Sequence, residues 1–262
     1  MQHLFSPRHG TDAMCYLWFA AMHTRVDIVL CGDMSEQAFV GLGEEIEEQI
    51  AGLERTGNCY SSDSELSVLL ATRSGDISPT LHDMLMQCVD YHKRTLGYFD
   101  IAFPSDNYNV NTLGCLRLMP HTATIDGDGV RLNLSGFLKG YALDQLRPLL
   151  ESHGIAHALL NMGNSTVMAM GNYPDGEGWQ VAMAGSHKSL RLVNESLSIS
   201  GNDTASRRHI VNPRSQRLVT GQRTVAVTSP VATDAEVLST ALFAAEEDSD
   251  KLLARFPGSR LV

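Results

Sequence analysis

Several things are missing from this chain, and each absence narrows its class. No run of about 18 apolar residues occurs, so no segment reads as a membrane-spanning helix. The first ten residues, Met1 to Gly10, have no apolar core, which is not the pattern of a secretory signal and leads to the expectation of a cytoplasmic protein. Cysteine is sparse: Cys15, Cys31, Cys59, Cys88 and Cys115 are odd in number, widely spaced and form no CxxC. That argues against a disulfide framework or a zinc knuckle and leaves reduced thiols as the simpler reading. Basic charge is short as well, with 20 Lys and Arg against 30 Asp and Glu and a net charge of -10. No basic stripe is visible, so a nucleic-acid binder is not expected. There is no internal repeat and no linker rich in Pro, Gly or Ser to divide the chain. What remains is 262 residues, 43% hydrophobic and 19% charged, an ordinary globular composition with material for a sizeable core.

The most informative stretch runs from Asn133 to Asp144, NLSGFLKGYALD. Alternation in Val130-Arg131-Leu132-Asn133-Leu134 predicts a strand, and Leu138, Tyr141, Ala142 and Leu146 recur at helical steps. A strand that feeds a helix through a glycine-bearing turn can offer backbone N–H groups to an anion, with Lys139 adding a mobile positive charge. The segment matches neither GxxxxGK[ST] nor GxGxxG. From the residues alone it is either a phosphate-binding turn or a structural strand–helix turn.

The rest of the chain carries regular signals. Residues 24–30 alternate as a half-buried strand. From Asp33 to about Leu53 a helix is expected, with Phe39, Leu42, Ile46, Ile50 and Leu53 on its buried face and Glu44, Glu45, Glu47 and Glu48 on a solvated one. Ser64-Glu65-Leu66-Ser67 reads as a capped helical turn. A helix from Pro79 to Leu96 has Ser78 as its cap, Pro79 at its first position and Gly97 at its end. Residues 107–111 read as loop, and Pro148 is expected to kink or end the helix behind Lys139. His153 and His157 have helical zinc-ligand spacing, but Gly154 lies between them and no third ligand is evident. Strands are expected at 166–170, 179–184, 190–193 and 196–200, with Trp179 in the core, and another around 224–227. Glu236 and Thr240 share a helix face, where a carboxylate and a hydroxyl suit a hard cation; the alternative is an exposed glutamate on a capped helix.

Taken together, these segments resemble the ApbE-like flavin transferase family (FAD:protein FMN transferases). NLSGFLKGYALD is similar to that family's DLGGIAKGYAVD, residues 64–67 to SELS, Gly97-Tyr98-Phe99-Asp100 to G-x-FD, residues 158–165 to LVNAGGD, His209-Ile210-Val211-Asn212-Pro213-Arg214 to HIIDPR, and residues 235–243 to ADALSTALF. With Met22-His23-Thr24, similar to the family's opening Met-Gly-Thr, seven short elements stand in the family's order across about residues 22–245. The resemblance implies an α+β fold: one compact domain over 22–262, mixed or antiparallel sheets flanked by helices, two lobes around a cofactor cleft, and residues 1–21 as an irregularly packed N-terminal extension. It places FAD, as substrate, among Met22, Tyr60, Tyr98, Phe99, Asp100, Asn133, Lys139 and Ile210, and Mg²⁺ among Gly136, Glu236 and Thr240. His209 and Lys139 become the catalytic candidates.

The activity implied is transfer of FMN from FAD to a Ser or Thr hydroxyl of an acceptor protein, with AMP leaving and His209 accepting the hydroxyl proton. Departures from the family pattern lie at His23 for Gly, Asn133, Ser165 and Asn212 for Asp, Ser135 for Gly, and Glu236 for Asp. The site is therefore less negative than its relatives', and weaker metal affinity is the physical expectation. Three alternatives stand beside transfer: hydrolysis of FAD to FMN and AMP, ligand binding without chemistry, and a plain protein-interaction domain.

Overall fold

The computed structural model describes residues 1–9, 12–174, 176–183, 189–201, 211–219, 223–245 and 248–262. In chain order the strands are β1 (Gln2–His9), β2 (Asp12–Ala21), β3 (Thr24–Gly32), β4 (Ser74–Asp76), β5 (Leu116–Met119), β6 (Thr122–Ile125), β7 (His157–Met162), β8 (Thr166–Met170), β9 (Trp179–Ala182), β10 (Ser189–Leu192), β11 (Ser196–Gly201), β12 (Val211–Asn212), β13 (Arg217–Leu218), β14 (Thr224–Ser229) and β15 (Arg260–Leu261). The α-helices are α1 (Glu36–Gly57), α2 (Glu65–Thr72), α3 (Pro79–Arg94), α4 (Leu138–Ser152), α5 (Ala232–Ala244) and α6 (Ser249–Leu253). The main sheet has eight strands in the order β1-β2-β3-β7-β8-β11-β14-β15, and every neighbouring pair is antiparallel. This is an α+β fold with helices against antiparallel sheets.

Alternation along the strands decides which face is covered. Cys15, Leu17 and Phe19 of β2, and Val26, Ile28 and Leu30 of β3, are buried in one cluster with Phe39, Leu42, Ile46 and Ile50 of α1. The intervening β3 residue Val29 and the β2 residue Met14 pack on the opposite face, around a smaller cluster that includes Trp179, Leu192 and Leu197. Helix α1 begins at its Ser35 cap, whose hydroxyl accepts from the Ala38 N–H at 3.2 Å. Ser64 and Ser78 cap α2 and α3 in the same way, each at 3.1 Å. These serines satisfy donors that a helix start otherwise leaves open.

Three expectations are corrected. Residues 1–21 do not pack irregularly: β1 and β2 are the outer strands of the main sheet, and β2 joins β3 through a two-residue turn at Met22 and His23, both at positive φ. Residues 130–134 form no strand. Val130, Leu132 and Leu134 are buried as the alternation predicts, but the polar backbone atoms go to unrelated partners. The Arg131 N–H donates to the Ser105 hydroxyl at 2.9 Å, the Asn133 N–H to the Ile101 carbonyl at 2.8 Å, and Arg73 donates to the Val130 carbonyl at 2.9 Å. Between Phe103 and Ile125, β5 and β6 pair with each other, and β6 pairs with β4, in a three-stranded sheet. Helix α4 does not end at Pro148 but runs on to Ser152. Leu146 and Leu150, on either side of the proline, are both fully buried, and that packing outweighs the lost backbone bond.

Helices α4 and α5 cross closely near their N-termini, and glycine makes the approach possible. A Cβ at Gly140 would stand 2.7 Å from the Ala232 carbonyl oxygen and 2.8 Å from the Thr233 Cα. Both contacts are to backbone, so relief requires the helices to separate. Gly140→Ala is therefore expected to destabilise the fold by about 1–3 kcal/mol, the usual cost of overpacking, read from the shift of the urea midpoint at unchanged slope.

Candidate active site

Neither crossing helix has a capping side chain of its own. Phe137 precedes α4 and Val231 precedes α5, and neither makes a side-chain cap bond. Each helix borrows a carboxylate from the other. Asp144 of α4 accepts from the Ala232 and Thr233 N–H groups of α5, both at 2.8 Å, and from the Thr233 hydroxyl. In return Glu236 of α5 accepts from the Gly140 N–H through one oxygen and from the Lys139 ammonium through the other. Glu236 is only 3% exposed, so the exposed-glutamate alternative does not hold. Burial pushes the Asp144 carboxyl above its ordinary value, and the bonds from Thr233 and Ala232 oppose that rise.

Around this crossing lie most of the residues singled out from the sequence. Thr240, one turn beyond Glu236, faces Gly136: a Cβ on that glycine would be 3.8 Å from the Thr240 hydroxyl and 3.5 Å from the Phe99 ring. The Thr240 hydroxyl also meets Ser200 at 3.2 Å, and Ser200 meets Ser239 at 2.8 Å. Asn133 ties the glycine turn to its surroundings. Its side-chain oxygen accepts from the Ser135 N–H at 2.8 Å, while its amide donates to the Tyr60 hydroxyl at 2.9 Å. Tyr60 is 70% exposed; its N–H donates to the Asn58 side-chain oxygen at 2.9 Å, and its ring meets His23 in a T-shaped contact, with centroids 6.5 Å apart. Met22, beside His23, donates its N–H to Glu54 at 2.8 Å and lines a groove of about 870 Å³ with Trp18, Arg25 and Glu54.

Phe99, Asp100 and Tyr98 sit beneath this surface. Phe99 is buried against Gly136. The Asp100 side chain has no exposed surface, and its oxygens accept from the Ala102 N–H and the Tyr108 hydroxyl, both at 2.8 Å, with His92 at 3.4 Å. Tyr98 is buried too, donates to Asp248 at 2.9 Å and lies under the Arg214 guanidinium. Of the three, Phe99 is the one set against the glycine turn. His209 and Ile210 lie outside the described residues. His153 and His157 stand on different elements, near Glu45 at 3.5 Å and accepting from the Asn172 N–H at 3.0 Å respectively.

Asp144, Ser200 and Ser239 are the site residues that sequence reasoning passed over. Asp144 was within reach, since it closes the twelve-residue stretch read above. The serines carry no local signal, because their partners lie about 40 positions away.

A sequence model of the ApbE family matches residues 22–106 and 106–260. The chain belongs to the ApbE family. A FAD:protein FMN transferase of Treponema pallidum is 27% identical over 168 residues, covering 53% of this chain and 45% of that protein. This ApbE-family chain thus spans less than half the length of that curated relative in the match. Among solved structures, the flavin transferase ApbE from Vibrio cholerae superposes with a TM-score of 0.78 over 92% of this chain and 90% of its own, at 18% identity. The Pseudomonas stutzeri flavinyl transferase ApbE in its apo form gives 0.78 over 93% and 88%, at 19% identity. At such identities the likeness establishes a shared fold. No helix among the described residues is long and apolar enough to cross a membrane.

The oxygen donors expected for Mg²⁺ are gathered here, but they do not fit a bound divalent ion as arranged. Glu236 has one oxygen on a cation and the other on a backbone donor, which leaves the neutral Thr240 hydroxyl, with Gly136 facing it. No group of three or more His, Cys, Asp or Glu suited to a metal occurs among the described residues.

Burial raises the Asp100 carboxyl above its ordinary value, against the bonds from Ala102 and Tyr108 and the charge of His92. A carboxyl raised by folding contributes stability at low pH that is lost as pH climbs through its folded value. The stability of the unaltered chain relative to Asp100→Asn should therefore fall as pH rises from about 4 toward 7, measured by urea unfolding at each pH.

Proposed function

We propose that this chain transfers FMN from FAD to a Ser or Thr hydroxyl of an acceptor protein. The observation that carries this reading is the convergence of Tyr60, Asn133, the Gly136 turn, Lys139 and Thr240 on one surface of an ApbE-family fold. An exposed tyrosine ring bonded to Asn133, with a partly buried ammonium beyond the glycine turn, suits a ligand with a flat aromatic system at one end and a pyrophosphate along its length. FAD has both. The name of the Treponema pallidum relative supports the same ligand and reaction.

In the proposed reaction the acceptor hydroxyl oxygen bonds to the FMN phosphorus, the bond to the bridging pyrophosphate oxygen breaks, and AMP leaves. The hydroxyl proton goes to a base, for which His209 remains the candidate from the resemblance. Such transfer depends chiefly on positioning and charge neutralisation. We assign the second task to Lys139, once its ammonium leaves Glu236, and the first to Tyr60 with Asn133. Magnesium dependence, which the resemblance also implies, would require Glu236 to exchange its Lys139 partner, so the assay is run with MgCl₂ and with EDTA.

The decisive experiment incubates the protein with FAD and candidate acceptors and looks for an FMN-modified acceptor by intact mass, with AMP quantified in parallel. Stoichiometric adduct and AMP support transfer. AMP and free FMN without adduct would shift the reading to hydrolysis, and no AMP with any acceptor would overturn it. Tyr60→Ala is expected to weaken FAD binding about 10-fold, within the range for loss of one aromatic contact, as read by titration of flavin fluorescence.

A further inference from the structure

The strongest disagreement between the family pattern and this structure lies at Glu236. Its carboxylate is not poised toward open space. It reaches across the helix crossing to the first turn of α4, where one oxygen takes the Gly140 N–H and the other the Lys139 ammonium. Two features hold it there. Helix α4 has no side-chain cap from Phe137, so Glu236 satisfies an N–H that the helix start leaves open and places a negative charge at the positive end of its dipole. The Gly140 contact with Ala232 and Thr233 keeps the two helices at the separation this reach requires. Glutamate is also one methylene longer than the aspartate of the family pattern, which lengthens its reach toward α4.

We propose that Lys139 is the resident cation of this site: its ammonium occupies the place on Glu236 that a divalent ion would take, so divalent ions bind this chain weakly and only by displacing Lys139. A tethered ammonium has a high effective concentration at the carboxylate. A free Mg²⁺ must outcompete it and shed water that it gives up reluctantly. The hydroxyls on this face, Thr240 one turn along and Ser200 3.2 Å from it, carry no charge to compensate.

The test needs neither FAD nor an acceptor, so it stands apart from the proposed transfer reaction. Mn²⁺ binding to the full chain is measured by electron paramagnetic resonance of the free ion, for the unaltered protein, Lys139→Gln, Lys139→Arg, and Lys139→Gln combined with Glu236→Gln. The inference expects Lys139→Gln to bind one Mn²⁺ at least ~10-fold more tightly than the unaltered chain, the scale on which removing a tethered competitor acts. Lys139→Arg keeps the positive charge and should stay weak, and the double variant should lose the gain, which assigns it to Glu236. Equal affinity of the unaltered and Lys139→Gln proteins, tighter binding by the unaltered protein, or a gain that survives in the double variant would each overturn the inference. Circular dichroism melting of every variant accompanies the titrations. If Lys139→Gln does not fold, Glu236→Asp replaces it: its shorter reach should free the carboxylate and tighten Mn²⁺, and unchanged affinity in that variant would count against the inference.

Discussion

The structure around the site depends on an exchange of carboxylates between two helices. Asp144 closes the open start of α5, and Glu236 closes that of α4. Glu236 is buried and Asp144 partly so, which is costly for a charge unless it is fully hydrogen-bonded, and each meets that condition only while the helices stay crossed. Gly140 lets them cross. The three residues act as one unit, and they place Lys139, Gly136 and Thr240 within reach of one another. A helix N-terminus is commonly a site for external anions. Here an internal carboxylate already sits at the start of α4.

Beneath that unit, the segment from Tyr98 to Ala102 serves as a buttress. The Phe99 ring fills the space against Gly136, the Ile101 carbonyl takes the Asn133 N–H, and Asp100 fixes the turn through Ala102 and Tyr108. The departures from the family pattern have local physical consequences. Asn133 offers an acceptor and a donor, and it uses the first on Ser135 and the second on Tyr60. An ionised aspartate there could only accept, so the bond to Tyr60 would have to reverse direction. His23, at positive φ in the β2–β3 turn, makes a T-shaped ring contact with Tyr60 where the family pattern has a glycine without a ring.

Much of the framework was readable because its signals are local. The buried face of α1 is the one the periodicity names, and Ser78 and Pro79 start α3 where the capping signal puts them. Strands β8 to β11 fall near their expected positions, and Trp179 is in the core. The misses share a cause. At 130–134 the alternation marked an extended, half-buried backbone, but whether that backbone finds a ladder partner depends on residues far away, here Arg73, Ile101 and Ser105. Pro148 is tolerated because Leu146 and Leu150 are anchored in the core. Residues 1–21 gain their order by pairing with β3 and with each other.

By itself the sequence determined the elements whose stability is local: amphipathic helices, their serine caps, the alternating strands and the glycine turn ahead of Lys139. It also determined the inventory of chemistry, since an ammonium, a carboxylate and a hydroxyl at 139, 236 and 240 belong to the residues themselves. Tertiary structure alone decided how those groups are spent. Lys139 and Glu236 are 97 positions apart, and nothing in local spacing says that a carboxylate from α5 will close the start of α4. That pairing follows from the distance at which two helices cross, and a glycine with backbone against it sets that distance.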